Sequence, residues 1–163
     1  MDKYKKLFKS FYYAFRGIIR SIKTERNLRI HITCLIYMFS ILGMTDWFTL
    51  SRTDWAVLIL TSGTVIAAEI VNTAIENAVN LASEEYHKFA EISKDAAAGA
   101  VLISVIFAVS TGIAILFQPE AFKAMYDYFA SNILHLIILV TSIIPATYFI
   151  FFGFSKPKGK KNE

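Results

Sequence analysis

The rhythm of polar and apolar positions changes along the chain. From Tyr4 to Lys23, Leu7, Phe8, Phe11, Tyr12, Phe15, Ile18, Ile19 and Ile22 recur at three- and four-residue steps, with Lys5, Lys9, Arg16, Arg20 and Lys23 largely opposite them. This is the period of an amphipathic helix, and its basic polar face predicts that it lies on a membrane surface. Four apolar runs follow, from Arg29 to Met44, Trp55 to Ala82, Ala96 to Phe117 and Ile133 to Phe154. Such runs suit spans of roughly 17–25 residues. The pattern predicts an all-α polytopic membrane bundle of four spans preceded by a surface helix.

Composition agrees with that reading. Of 163 residues, 55% are hydrophobic and three are proline, which favours a small membrane protein over a soluble domain. Lysine and arginine set the orientation. Nine of them lie between Lys3 and Arg29, Lys88 and Lys94 stand between the second and third spans, and four lysines fill the tail, against only Arg52 and Lys123 on the other side. By the positive-inside rule both termini and the second loop are cytoplasmic. The net charge of +4 is thereby explained without nucleic acid. Trp47, Phe48, Trp55, Tyr126, Tyr128 and Phe129 would form the outer aromatic belt. The long, charged N-terminal stretch does not read as a cleavable signal peptide. Cys34 is the single cysteine, so an internal disulfide or thiolate cage is excluded and a buried packing role is expected.

The second span breaks its own pattern. Its cytoplasmic half reads AEIVNTAIENAVN, and Glu69, Asn72, Glu76 and Asn80 are spaced by three, four and four. At about 100° per residue they occupy one stripe of a helix. A charged side chain near the bilayer centre costs roughly 2.5–3.5 kcal/mol on insertion scales, so intramembrane carboxylates point to function. A purely structural polar contact between helices would need fewer such groups. Polarity also rises toward the inner surface: Glu76 is about 10 Å nearer to it than Glu69, the loop SEEYHK follows, Lys94-Asp95 opens the third span, and Glu25 stands before the first.

Phosphoryl transfer wants these groups. It needs charge neutralisation on a polyphosphate by Mg²⁺ and cations, and a group that takes the proton of the acceptor hydroxyl. Mg²⁺ uses one or two carboxylates beside waters and phosphate oxygens, a part for Glu25 and Glu76, and Lys94 supplies a point charge. A lipid alcohol offers its hydroxyl from within the bilayer, so its base must lie at depth, where Glu69 is. No GxxxxGK loop, GxGxxG or kinase catalytic loop is present.

ERNLRIH (Glu25 to His31), EIVNTAIENAVNL (Glu69 to Leu81), SEEYHK and AEISKDAAAGAVL (Ala90 to Leu102) resemble the small bacterial integral-membrane lipid kinases, the diacylglycerol kinase and undecaprenol kinase family. The resemblance covers roughly residues 4 to 117. It implies a multi-pass protein of the bacterial cell membrane, a homotrimer of three-span chains, and composite active sites at the inner surface with ATP as phosphate donor. By position Glu69 resembles the catalytic base, with Asn72 the active-site asparagine, and Glu25 and Glu76 the metal ligands. Lys6, Tyr13, Glu85, Tyr86, His87, Lys94 and Asp95 match nucleotide-contacting positions, to which Glu25 and Glu76 also belong. Ala98 falls where the enteric diacylglycerol enzymes carry a serine, and with Glu69 it would face the acceptor. The ERNLRIH form is closer to the undecaprenol kinases of Gram-positive bacteria, which implies ATP-dependent conversion of undecaprenol to undecaprenyl phosphate, with diacylglycerol going to phosphatidic acid as the alternative.

Two departures stand out. Asn80 occupies a position where the resemblance calls for aspartate, and residues 118–163 add a fourth span and basic tail to a kinase domain of residues 1–117. Pro145 should kink that span, His135 reads as a packing or interfacial residue, and Gly99 with its neighbouring alanines should admit close helix approach. A non-catalytic scaffold or an ion pathway would use the same carboxylates. A pathway, however, needs polar groups through both leaflets, and the outer halves are apolar apart from Ser62 and Thr64. A lipid phosphatase would want outer-side arginines, of which there is only Arg52.

Overall fold

The computed structural model describes residues 2–82 and 87–154. They form α1 (Asp2–Thr24), α2 (Arg26–Met44), α3 (Arg52–Ala82), α4 (Lys88–Leu116), α5 (Pro119–Ser131) and α6 (Ile133–Phe152), with no strand among the described residues. α2, α3, α4 and α6 are long and apolar enough to cross a membrane. The architecture is the all-α polytopic bundle that the hydrophobic pattern predicts.

α1 is amphipathic, and Leu7, Phe8, Phe11 and Phe15 are exposed, a face made for the bilayer boundary rather than for the bundle. It is separated from α2 by one residue. Glu25 is extended, at φ −98 and ψ 115, so a carboxylate stands at the corner where the surface helix turns into the first span. α3, with 31 residues, is about 46 Å long against a hydrocarbon layer of about 30 Å. Its surplus carries the Glu76–Asn80 end of the polar stripe out of the apolar layer.

α3 and α4 pack together along much of their length, and α2 lies against both α3 and α6. The core is a thin seam of Leu28, Leu42, Leu58, Val65, Ala97 and Val101. Among lipid tails a buried leucine gains no hydrophobic free energy over an exposed one, so close packing and polar contacts must carry helix association. Two such polar contacts hold α6. The Tyr37 hydroxyl meets Ser142 Oγ at 2.7 Å, and Arg29 Nε donates to the Ile150 carbonyl at 2.9 Å.

At the opposite end α5 is an additional short helix inside the stretch read from sequence only as the approach to the last span. Pro119 sits in its first turn, where a missing N–H costs nothing. The predicted aromatic belt gathers here: Trp47 packs on Tyr128 and Phe129 with ring centres 5.2 and 5.8 Å away. Gln118 also pairs reciprocally with the backbone of Thr49. His135 packs against Tyr128 with ring centres 5.5 Å apart, in keeping with the packing or interfacial role expected of it.

Two local expectations, for Cys34 and Gly99, are corrected. Cys34 is exposed rather than buried, because the buried positions of α2 are Leu28, Arg29 and Leu42, and residue 34 points away from them. Gly99 has open space, with nothing within 4 Å of an added Cβ, whereas Ala97 and Val101 are the buried residues of α4. Helix α6 runs through Pro145.

Candidate active site

The site begins with the buried stripe of α3. Leu58, Ser62, Val65, Glu69 and Thr73 are its buried residues, at steps of four, three, four and four. Glu69 therefore continues a packing seam that is otherwise apolar or hydroxylic, and it is 3% exposed. Counting about 20 residues from Trp55 brings the far boundary of a hydrocarbon layer near Ala74, which sets Glu69 within such a layer and Glu76 at its edge.

A buried carboxylate needs a partner, and α2 supplies one. His31 Nε2 lies 3.3 Å from Glu69 Oε1, joining the first span to the second. The Thr73 hydroxyl donates to the Glu69 backbone carbonyl at 2.9 Å, a bond that leaves the Glu69 carboxylate untouched. Glu76 lies two turns further along α3 and Glu25 at the α1–α2 corner; among the described residues no hydrogen bond or ion pair joins either carboxylate to Glu69.

One turn further along α3, Asn72 Nδ2 donates to Glu76 Oε1 at 2.8 Å. This fixes the amide and one carboxylate oxygen together. Asn72 Oδ1 is buried and has no hydrogen-bond partner among the described residues. Such an orphaned acceptor costs on the order of 1–3 kcal/mol, and its natural complement is a donor or cation brought by a ligand. The donor set here is hard oxygen only, which fits Mg²⁺. Among the described residues no three of His, Cys, Asp and Glu form a metal cage.

Lys94 comes to the same end of the bundle from α4. Its Nζ donates to Asn80 Oδ1 at 2.7 Å. Asn80, one of the two departures from the family pattern, thus holds the ammonium in place without neutralising it. His87 caps α4, its Nδ1 accepting from the Phe89 N–H at 3.3 Å.

Not every predicted position joins the cluster. Among the described residues no hydrogen bond or ion pair links Lys6, Tyr13, Asp95 or Ala98 to it. Lys6 and Tyr13 lie on α1, where Tyr13 packs under Arg16 at 5.0 Å and Lys9 at 5.8 Å. Asp95 and Ala98 are exposed on α4. Glu85 and Tyr86 lie outside the described residues. The residue that sequence reading passed over is His31. Its signal was available: it falls one turn after buried Leu28, a polar residue on the packing side of a span.

Comparison with known proteins gives this arrangement its context. The sequence profile described as prokaryotic diacylglycerol kinase matches residues 12–116, from α1 to the end of α4. A diacylglycerol kinase of Synechocystis is 40% identical over 111 residues, 68% of this chain and 62% of that one, so the chain matches less than two thirds of that relative's length. The undecaprenol kinase of Bacillus subtilis is 34% identical over 120 residues, 71% of this chain and 90% of its own. A diacylglycerol kinase of Helicobacter pylori is 31% identical over 104 residues, 64% of this chain and 79% of its own. The matched region contains Glu25, His31, Glu69, Asn72, Glu76 and Lys94, and with a profile match over more than half its length the chain belongs to the prokaryotic diacylglycerol kinase family of membrane lipid kinases.

Proposed function

We propose that this chain transfers the γ-phosphoryl group of ATP to the hydroxyl of a membrane lipid alcohol, and that the acceptor is undecaprenol, giving undecaprenyl phosphate. The observation that carries the reading is the depth difference along α3: a buried carboxylate at Glu69 within the hydrocarbon layer, and the Asn72–Glu76 pair about 10 Å nearer the inner edge. One position suits a hydroxyl that arrives in the bilayer, the other a phosphate chain that arrives from water.

Glu69 accepts the proton of the lipid hydroxyl as the oxygen attacks phosphorus, and the Oε1 atom is held in place by His31. Glu76 and Glu25 would hold Mg²⁺, which when bound neutralises the phosphate oxygens. Asn72 orients Glu76, and its free Oδ1 is available to a donor on the bound ligands. Lys94, positioned by Asn80, attracts the phosphate chain as a point charge. Lys6, Tyr13, Glu85, Tyr86, His87 and Asp95 are proposed nucleotide contacts. Those that stand apart in the single chain would reach the site in a trimer, where α1 or the α4 terminus of one copy meets α3 of another. Both termini would be cytoplasmic.

Support for undecaprenol comes from Ala98, an apolar side chain on α4 with nothing to offer a glycerol backbone, and from the Bacillus relative. The Synechocystis relative, at 40% identity, favours diacylglycerol as the second reading. Purified protein, radiolabelled ATP and the two alcohols in matched mixed micelles test the proposal. Higher kcat/KM on undecaprenol is the expected result, higher efficiency on diacylglycerol promotes the second reading, and no transfer to any lipid alcohol overturns both.

A further inference from the structure

The arginine of ERNLRIH does something that charge counting does not foresee. Arg29 is 5% exposed, although it stands at the start of the first span among residues that set orientation. Its guanidinium spends its donors on backbone carbonyls of two other helices. Nη1 donates to Ile22 and Lys23 at 3.0 Å each, and Nε donates to Ile150 at 2.9 Å. Ile22 and Lys23 are in the last turn of α1 and Ile150 is in the last turn of α6. Helix C-termini leave carbonyls without intrahelical partners and carry partial negative charge. One cation thus serves two of them.

The place where α6 ends is built to receive it. Gly153 has φ 60 and ψ −142, close to a region that in practice only glycine occupies. A Cβ there would lie 3.4 Å from Arg29 Nη1 and 3.5 Å from Cδ and Cζ. The Gly153 N–H closes the helix on the Phe149 carbonyl at 2.8 Å. Glycine is therefore required by the backbone that ends α6 in this way, while the guanidinium lies against it at ordinary van der Waals distance.

Arg29 also spans the corner that it borders. The carbonyls of residues 22 and 23 precede Glu25, and Arg29 lies one turn beyond it. The Arg29 bonds thus close a loop around Glu25, whose own backbone N–H is bound to Ser21 O at 2.8 Å. The direction in which α1 leaves α2 follows from that loop. Through Ile150 the loop is tied to the fourth span, which lies outside the region matched by the family profile.

We propose that Arg29 is a positioning residue and that the fourth span is its anchor: α6 locks the α1–α2 corner so that Glu25 and the basic surface helix are presented to Mg-ATP. The inference rests on the kinase reading for the role of Glu25, but its geometric part stands without it. α6 touches none of the reacting groups, so its contribution should appear in nucleotide binding rather than in turnover or lipid recognition.

The test uses the full-length chain with Arg29→Gln, Gly153→Val and the double variant, in assembled, detergent-purified protein. Each single change should raise KM for Mg-ATP about tenfold, leaving kcat and the lipid KM within about twofold, and the double variant should be no worse than the poorer single. Nitroxide pairs placed at Lys9 and Phe151 in a Cys34→Ala background give a readout without turnover. Their distance distribution should be narrow in the parent and broad in both variants. Should Arg29→Gln fail to assemble, Gly153→Val carries the test alone. An unchanged nucleotide KM and an unchanged distance distribution in Gly153→Val would overturn the proposal, and so would a fall in kcat alone. Loss of all lipid phosphorylation in the parent protein would instead strike the kinase reading, leaving the distance measurement to decide the brace.

Discussion

Glu69 and His31 face each other across the α2–α3 seam, Oε1 to Nε2, at 3.3 Å. The histidine occupies one carboxylate oxygen and leaves the other for an acceptor hydroxyl. Glu69→Gln should therefore abolish lipid phosphorylation, by roughly 10²–10⁴-fold, with nucleotide binding largely intact. His31→Gln should keep the protein assembled and lower kcat by roughly ten- to hundredfold, the worth of one hydrogen bond to a charged group. Steady-state kinetics with a fluorescent nucleotide-binding assay check both. Near-normal turnover in assembled Glu69→Gln would remove the base assignment.

Glu76 is tied to Asn72, so the two should behave as one unit toward Mg-ATP. Glu76→Gln and Glu25→Gln are each expected to raise KM for Mg-ATP by roughly tenfold or more. Asn72→Ala combined with Glu76→Gln should lose less than the product of the single losses, a coupling on the order of 0.5–3 kcal/mol. Full additivity in such a cycle would mean that the 2.8 Å bond has no part in holding the nucleotide.

Asn80 leaves Lys94 held but not neutralised. Replacing it by aspartate creates an ion pair at an exposed position, where such pairs are worth about 0.2–1 kcal/mol. Asn80→Asp should accordingly raise KM for ATP by roughly two- to fivefold with kcat unchanged. A lower KM would show that a carboxylate at this position serves the metal more than it diverts the lysine.

Acceptor choice can be shifted at α4. A site that hydrogen-bonds a polar group discriminates strongly against ligands without it, and an apolar wall discriminates weakly. Ala98→Ser adds a donor suited to a glycerol backbone. The ratio of kcat/KM for diacylglycerol over undecaprenol should rise by roughly three- to tenfold, measured in micelles of equal detergent content. An unchanged ratio would place the acceptor elsewhere.

The elements of this protein were legible in its hydrophobic rhythm because each carries its own period: the 3.6-residue alternation of α1, the long apolar runs of the spans, and the acidic stripe from Glu69 to Asn80. What could not be read were choices made between helices. Cys34 and Leu28 are both apolar positions of one span, and only the placement of α3 and α6 decides that Leu28 is buried and Cys34 exposed. Arg29 looked like one more cytoplasmic charge, because nothing local announces that carbonyls of α1 and α6 will surround it. His31 was hidden in a motif whose glutamate drew the attention. The short helix α5 was masked by its neighbours, although Gln118-Pro119 gives a helix-start signal of the usual kind.

The bond between Arg29 and Ile150 joins residues 121 positions apart. At about 5–20 residues per second the arginine leaves the ribosome roughly 6–24 s before its acceptor. Throughout that interval the two α1 carbonyls are the only ones of the three that exist to receive it. The α3–α4 hairpin, with the acids of the site on it, can insert and pair early, while the corner that bears Glu25 is closed last. Synthesis of the final helix thus acts as a completion step: a nascent chain holds the stripe of acids long before it holds the corner that presents them.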